Sequence, residues 1–120
     1  MFKKIFVGGF ALLLLPMLNA LVFAQEAAEP AGKKIFMDQK CNVCHSVKSQ
    51  NIEKKGPPIK EGTKNPPPDL STIGNEKSAE WITKFLNKQE MLNNKKHPKN
   101  LTLKPEEMKA LSEWLASLKK

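Results

Sequence analysis

The chain contains no arginine and no tyrosine, and its 120 residues include only two cysteines and two histidines. The missing arginine is informative. Its planar guanidinium grips phosphates and carboxylates in pairs of hydrogen bonds, whereas lysine is a flexible, strongly hydrated point charge. All 20 basic side chains are lysines, set against 12 acids, for a net charge of +8. Such a surface suits loose, salt-sensitive docking on acidic proteins, or plain solubility. It does not suit sequence-specific reading of nucleic acid, and no nucleic-acid partner is expected. The length allows one domain and not comfortably two.

The first stretch, "MFKKIFVGGFALLLLPMLNALVFAQ", has Lys3 and Lys4, an apolar middle, and Val22-Phe23-Ala24. That is the layout of a secretory signal, with cleavage expected after Ala24. Ile5 to Ala24 is also about the length of a membrane span, but Gly8, Gly9, Pro16 and Asn19 weaken it as a stable helix. Membrane association is expected only if this segment stays uncleaved. No cysteine follows the cut, so no lipid anchor is expected. Residues 1–24 are thus assigned to a signal, 25–31 to a flexible lead and 32–120 to one domain. Export points to the periplasm. Residues 25–120 keep 18 lysines and 12 acids, a net charge of +6. They hold few large apolar residues outside three clusters, and a bound cofactor supplying part of the core would help a domain this small.

Those clusters read as three helices, and the fold class is all-α. Residues 32–40 carry Gly32, Ile35, Phe36 and Gln39 at helical spacing. Residues 46–68 have no apolar periodicity and are rich in proline, glycine and lysine, as in an extended loop. So long a loop in a small domain is either functional or wrapped around something. A second helix is expected over 78–88, with Ser78 as N-cap and Glu80 in the first turn. Trp81, Ile82, Phe85 and Leu86 would form its apolar face. The last helix is expected over 105–119. Pro105 suits its first position, and Met108, Leu111, Trp114, Leu115 and Leu118 form its buried stripe.

The chemistry lies in "CNVCH", residues 41–45. Cys-x-x-Cys-His is the attachment signature for a c-type haem. Residues three apart on a helical turn face the same way. Cys41 and Cys44 can therefore form thioethers with two vinyl groups on one porphyrin edge, and His45 follows as proximal iron ligand. A thioredoxin-like redox pair would need a βαβ setting that is missing here. A disulfide closing so short a loop gains little. A zinc site from Cys41, Cys44, His45 and His97 has suitable ligand types, but adjacent Cys44 and His45 are an awkward tetrahedral pair.

In order, Gly32 and Phe36, "CNVCH", "PPPDL", "EW" and "LKPEEMKALSEWL" resemble the class I, mitochondrial-type cytochrome c family and its small bacterial monohaem relatives. The likeness covers most of residues 31–120. It implies one covalent haem c with its iron, wrapped by a small helical domain whose first and last helices cross. Gly32 and Phe36 would meet Trp114 there. It also implies that a proline carbonyl accepts a hydrogen bond from the proximal histidine, and Pro68 in Pro68-Asp69-Leu70 matches that position. The loop before it is longer than usual in the family, and Gly56-Pro57 offers a competing match. Leu70, an apolar neighbour, favours Pro68.

Electron-transfer haems usually have two axial ligands. Met37 lies too close to the attachment turn, and Met108 belongs to a helix stripe. Met91 and His97 remain. Family members carry a short Lys-Met-Pro stretch before the last helix, and here the letters are Lys96-His97-Pro98. His97 is the expected distal ligand and Met91 the alternative. The expected function is electron transfer by a monomeric monohaem cytochrome outside the cytoplasm, with lysines steering it to acidic patches on redox partners. The alternatives are a haem subunit of a periplasmic dehydrogenase or oxidase complex, or a five-coordinate haem sensor or enzyme.

Overall fold

The computed structural model describes residues 29–120. The expected signal at 1–24, and the lead as far as residue 28, lie outside them. The described chain forms three α-helices, α1 (Ala31–Asp38), α2 (Ala79–Leu86) and α3 (Pro105–Ala116), with short 3-10 turns at Cys41–Val43, Lys48–Gln50 and Ile73–Asn75. No β-strand occurs among the described residues.

Each helix has a local cause. The Pro30 carbonyl accepts the Lys34 N–H, so α1 starts at Ala31, one residue inside the segment expected to be lead. At the start of α2 the Ser78 side chain accepts the Trp81 N–H at 3.2 Å, the expected cap. α2 then ends two residues sooner than its pattern suggests. Lys88 adopts a left-handed φ of 61°, and the N–H groups of Lys88 and Gln89 bond back to the Phe85 and Lys84 carbonyls. That is a Schellman stop, made with lysine where glycine is commonest. In α3, Pro105 occupies the first turn and the Glu107 carboxylate accepts the Lys104 N–H at 2.9 Å.

The core gathers Phe36, Val47, Ile52, Leu70, Ile82, Leu111, Trp114, Leu115 and Leu118. α3 is its spine, packing α1 on one side and α2 on the other. At the α1–α3 crossing Gly32 is buried, and a Cβ added there would collide with the Trp114 side chain and the Ala110 carbonyl. The absent side chain lets Phe36 reach Trp114, with ring centres 5.4 Å apart and planes tilted by 59°. Burying each such side chain contributes roughly 1.5–3 kcal/mol. Between α2 and α3 the Thr83 hydroxyl donates to the buried Ser112 hydroxyl at 2.8 Å.

The apolar face expected on α2 splits in two. Ile82 enters the core, while Trp81 and Phe85 are only half-buried and stack on each other at 4.9 Å. Residues four apart share a face, so 81 and 85 pair together, and Ile82 points roughly a quarter-turn away.

Candidate metal centre

Lys40, with a left-handed φ of 56°, ends the approach from α1 and turns the chain into Cys41–Val43. The Cys41 carbonyl accepts both the Cys44 N–H (3.2 Å) and the His45 N–H (2.9 Å). One oxygen thus folds the five-residue motif into a tight turn. A second segment clamps it from outside. The Lys55 N–H donates to the Asn42 carbonyl at 2.8 Å and the Gly56 N–H to the Val43 carbonyl at 3.0 Å. Any Cβ at residue 56 would strike that Val43 carbonyl, so the clamp needs glycine. Gly56 thus bonds through its N–H to the Cys41–Val43 turn, and the carbonyl within reach of His45 is that of Pro68.

The last residue of the motif is equally well held. His45 Nδ1 lies 2.8 Å from the Pro68 carbonyl. A carbonyl only accepts, so Nδ1 carries the proton and Nε2 is left with its lone pair free. Asp69 pins the segment that supplies this carbonyl. Its carboxylate accepts the Ser46 hydroxyl (2.7 Å) and the N–H groups of Lys48 (3.2 Å) and Ser71 (2.8 Å). Slight burial pushes the Asp69 carboxyl up, but bonds from Ser71, Ser46 and Lys48 outweigh this and hold it well below the usual carboxylate range.

His97 stands opposite. The chain leaves α2, reverses at a two-residue turn where Asn93 and Asn94 have φ of 52° and 61°, and pairs Leu92 with Lys95. Positive φ at both central residues is the turn that suits a hairpin, and asparagine tolerates it. The Asn93 side-chain amide donates to the Asn65 side chain at 3.2 Å, tying this turn to the proline-rich loop. The His97 ring is half-buried, and its Nδ1–H donates to the Lys99 carbonyl at 3.2 Å. Its Nε2 is thus also free. The ring centres of His45 and His97 are 6.4 Å apart, with planes only 15° from parallel.

Burial lowers the His45 pKa, and nearby His97 adds to this against the Pro68 hydrogen bond. Burial also lowers that of His97, with Lys88 and Lys99 adding to it against the Lys99 carbonyl bond. Both shifts favour the neutral imidazole. Cys41 is half-buried and Cys44 exposed, and no disulfide joins them. Burial pushes the Cys41 thiol up, with Lys99 opposing.

Met91 is 58% exposed, and Met108 is buried in α3. The zinc grouping does not assemble: no cluster of three or more His, Cys, Asp or Glu among the described residues could hold a metal ion. Two imidazoles on one tetrahedral ion would also bring their centres to about 5.2 Å, closer than observed.

Several participants escaped the sequence. Asp69 was read only as part of a motif, although Asp with Ser two residues on is a turn signal. Lys55 and Gly56 act through their backbone N–H groups, which no side-chain pattern reports. Phe85 packs against His97 at 5.4 Å, nearly perpendicular to it, from what was expected to be a core-facing stripe. Lys99, whose amine reaches the Gln39 carbonyl, gave no signal at all.

A family model described as cytochrome c matches residues 30–119. No match was found among curated proteins, and none among solved structures.

Proposed function

This chain belongs to the cytochrome c family, and from that premise we propose that it is a monomeric electron carrier of the periplasm with two histidine ligands to its iron. The family binds a covalently attached haem c and serves haem-based electron transfer; its members are typically carriers rather than enzymes. In this proposal Cys41 and Cys44 form the two thioethers, His45 is the proximal ligand, and His97 takes the distal place with Met91 as the alternative.

The spacing of the two imidazoles carries the proposal. A metal–imidazole bond is about 2 Å, and the ring centre lies about 1.2 Å beyond the nitrogen. Two such legs in line span about 6.4 Å, which matches the separation of the His45 and His97 rings. Both rings also keep Nε2 free. The residues present therefore fit a six-coordinate haem iron.

When bound, the haem supplies a one-electron iron couple, and the protein supplies binding, orientation and electrostatics. His45 would donate to the iron more strongly because its other nitrogen is hydrogen-bonded to the Pro68 carbonyl. Imidazole at the distal place lowers the potential relative to a methionine-ligated relative. Asp69 fixes the segment that carries Pro68, and Lys55 and Gly56 hold the Cys41–Val43 turn, so the residues that would hold the haem are braced by the chain's own hydrogen bonds. Cleavage after Ala24 would free the protein into the periplasm, where lysines steer it to acidic surfaces on redox partners. No helix among the described residues is long and apolar enough to cross a membrane.

Carbon monoxide binding by the reduced holoprotein tests carrier against sensor. A haem held on both faces reacts slowly, limited by loss of a ligand. Rapid binding would mark a vacant sixth site and favour a five-coordinate sensor or enzyme.

A further inference from the structure

Resting on the ligation proposed above, we infer that Phe85 and Lys99 are positioning residues for the distal ligand, which hold the His97 ring plane parallel to that of His45. An imidazole bound through one nitrogen can still rotate about its bond to the metal, so the ring's own neighbours must set its plane. His97 has two. Its Nδ1–H points to the Lys99 carbonyl at 3.2 Å, which anchors one edge. The Phe85 ring stands at 77° to it with centres 5.4 Å apart, an edge-to-face arrangement that resists rotation. Both neighbours are themselves held. Phe85 stacks on Trp81 at 4.9 Å, and the Lys77 ammonium caps Trp81 4.2 Å above the ring centre. The Lys99 amine bonds to the Gln39 carbonyl, at the end of α1 two residues before Cys41. A single lysine thus ties the distal loop to the covalent attachment turn, by its carbonyl at one end and its side chain at the other. The observed 15° between the imidazole planes is the product of these contacts.

The relative plane of two axial imidazoles has its own signature. In ferric low-spin haem, near-parallel planes give a well-resolved rhombic electron paramagnetic resonance signal. Planes turned toward perpendicular give a broad, highly anisotropic one. The test compares oxidised holoprotein with Phe85→Leu and Lys99→Gln, and with the conservative variants Phe85→Tyr and Lys99→Arg. The parent should give the rhombic signal. Phe85→Leu and Lys99→Gln should broaden it and move the largest g value outward, while Phe85→Tyr and Lys99→Arg restore it. Added cyanide should displace the distal ligand about two- to tenfold faster in Phe85→Leu, the equivalent of one aromatic edge contact. Unchanged g values and cyanide rates in both Phe85→Leu and Lys99→Gln would overturn the positioning role and leave His97 ligation standing. An iron–sulfur charge-transfer band in the parent would overturn both.

Discussion

At residue 97 the resemblance expects a distal ligand, and the surrounding letters, Lys96 and Pro98, are what direct attention to the histidine there. Its partner could be found from "CNVCH" alone. The resemblance also pointed to the Pro68 carbonyl, which lies 2.8 Å from His45 Nδ1; what the letters could not convey is that the Lys99 carbonyl holds His97. Every residue has a carbonyl, so composition and spacing carry no trace of which one is used. Asp69 illustrates the same limit. Its folded-state pKa is held below the unfolded value of about 3.9. Its bonds to Ser46, Lys48 and Ser71 therefore contribute stability above that pH, and the contribution is lost as pH falls through the folded value. Asp69→Ala should be less stable than the parent at neutral pH, with the difference closing at low pH. Acid titration followed by circular dichroism checks this. A gap between the two proteins that stays constant down to strongly acid pH would rule out the linkage.

Among the elements, the crossing of α1 and α3 depends most sharply on one atom. Alanine in place of a helical glycine ordinarily gains about 1 kcal/mol. At Gly32 the added Cβ meets Trp114 and the Ala110 carbonyl, and such overpacking costs about 1–3 kcal/mol. The collision should win, and Gly32→Ala should lower the guanidinium unfolding midpoint without changing its slope. An unchanged or raised midpoint would mean that the helices have room to separate. The existence and order of all three helices were legible, because periodicity and caps such as Ser78 act locally. Their ends were less so. Lys88 closes α2 in a conformation that lysine rarely adopts, and nothing in its identity announces this. The apolar face of α2 was correctly spotted but assigned to one destination. Only the packed structure separates Ile82, buried in the core, from Phe85, whose ring meets His97.

For the whole molecule the dominant property is charge. Its 20 lysines and 12 acids were plain in the sequence, and their meaning depends on a partner's surface. If the lysines steer docking, electron transfer to an acidic partner should slow by about tenfold or more as ionic strength rises from about 0.01 to 0.15 M. A rate indifferent to salt would reject steering. The long proline-rich segment at 46–68 also finds its purpose at this scale. It carries Lys55 and Gly56 to the Cys41–Val43 turn, Asn65 to the turn at Asn93 and Pro68 to His45. One loop thus contacts the segments that carry both histidines, and the account comes down to which atoms hold the iron. The most direct measurement is the red and near-infrared absorption spectrum of the oxidised holoprotein. Ligation by His45 and His97 predicts a low-spin haem with no iron–sulfur charge-transfer band. A clear band of that kind would mean that a methionine, Met91 first among them, takes the distal place, and would contradict the account.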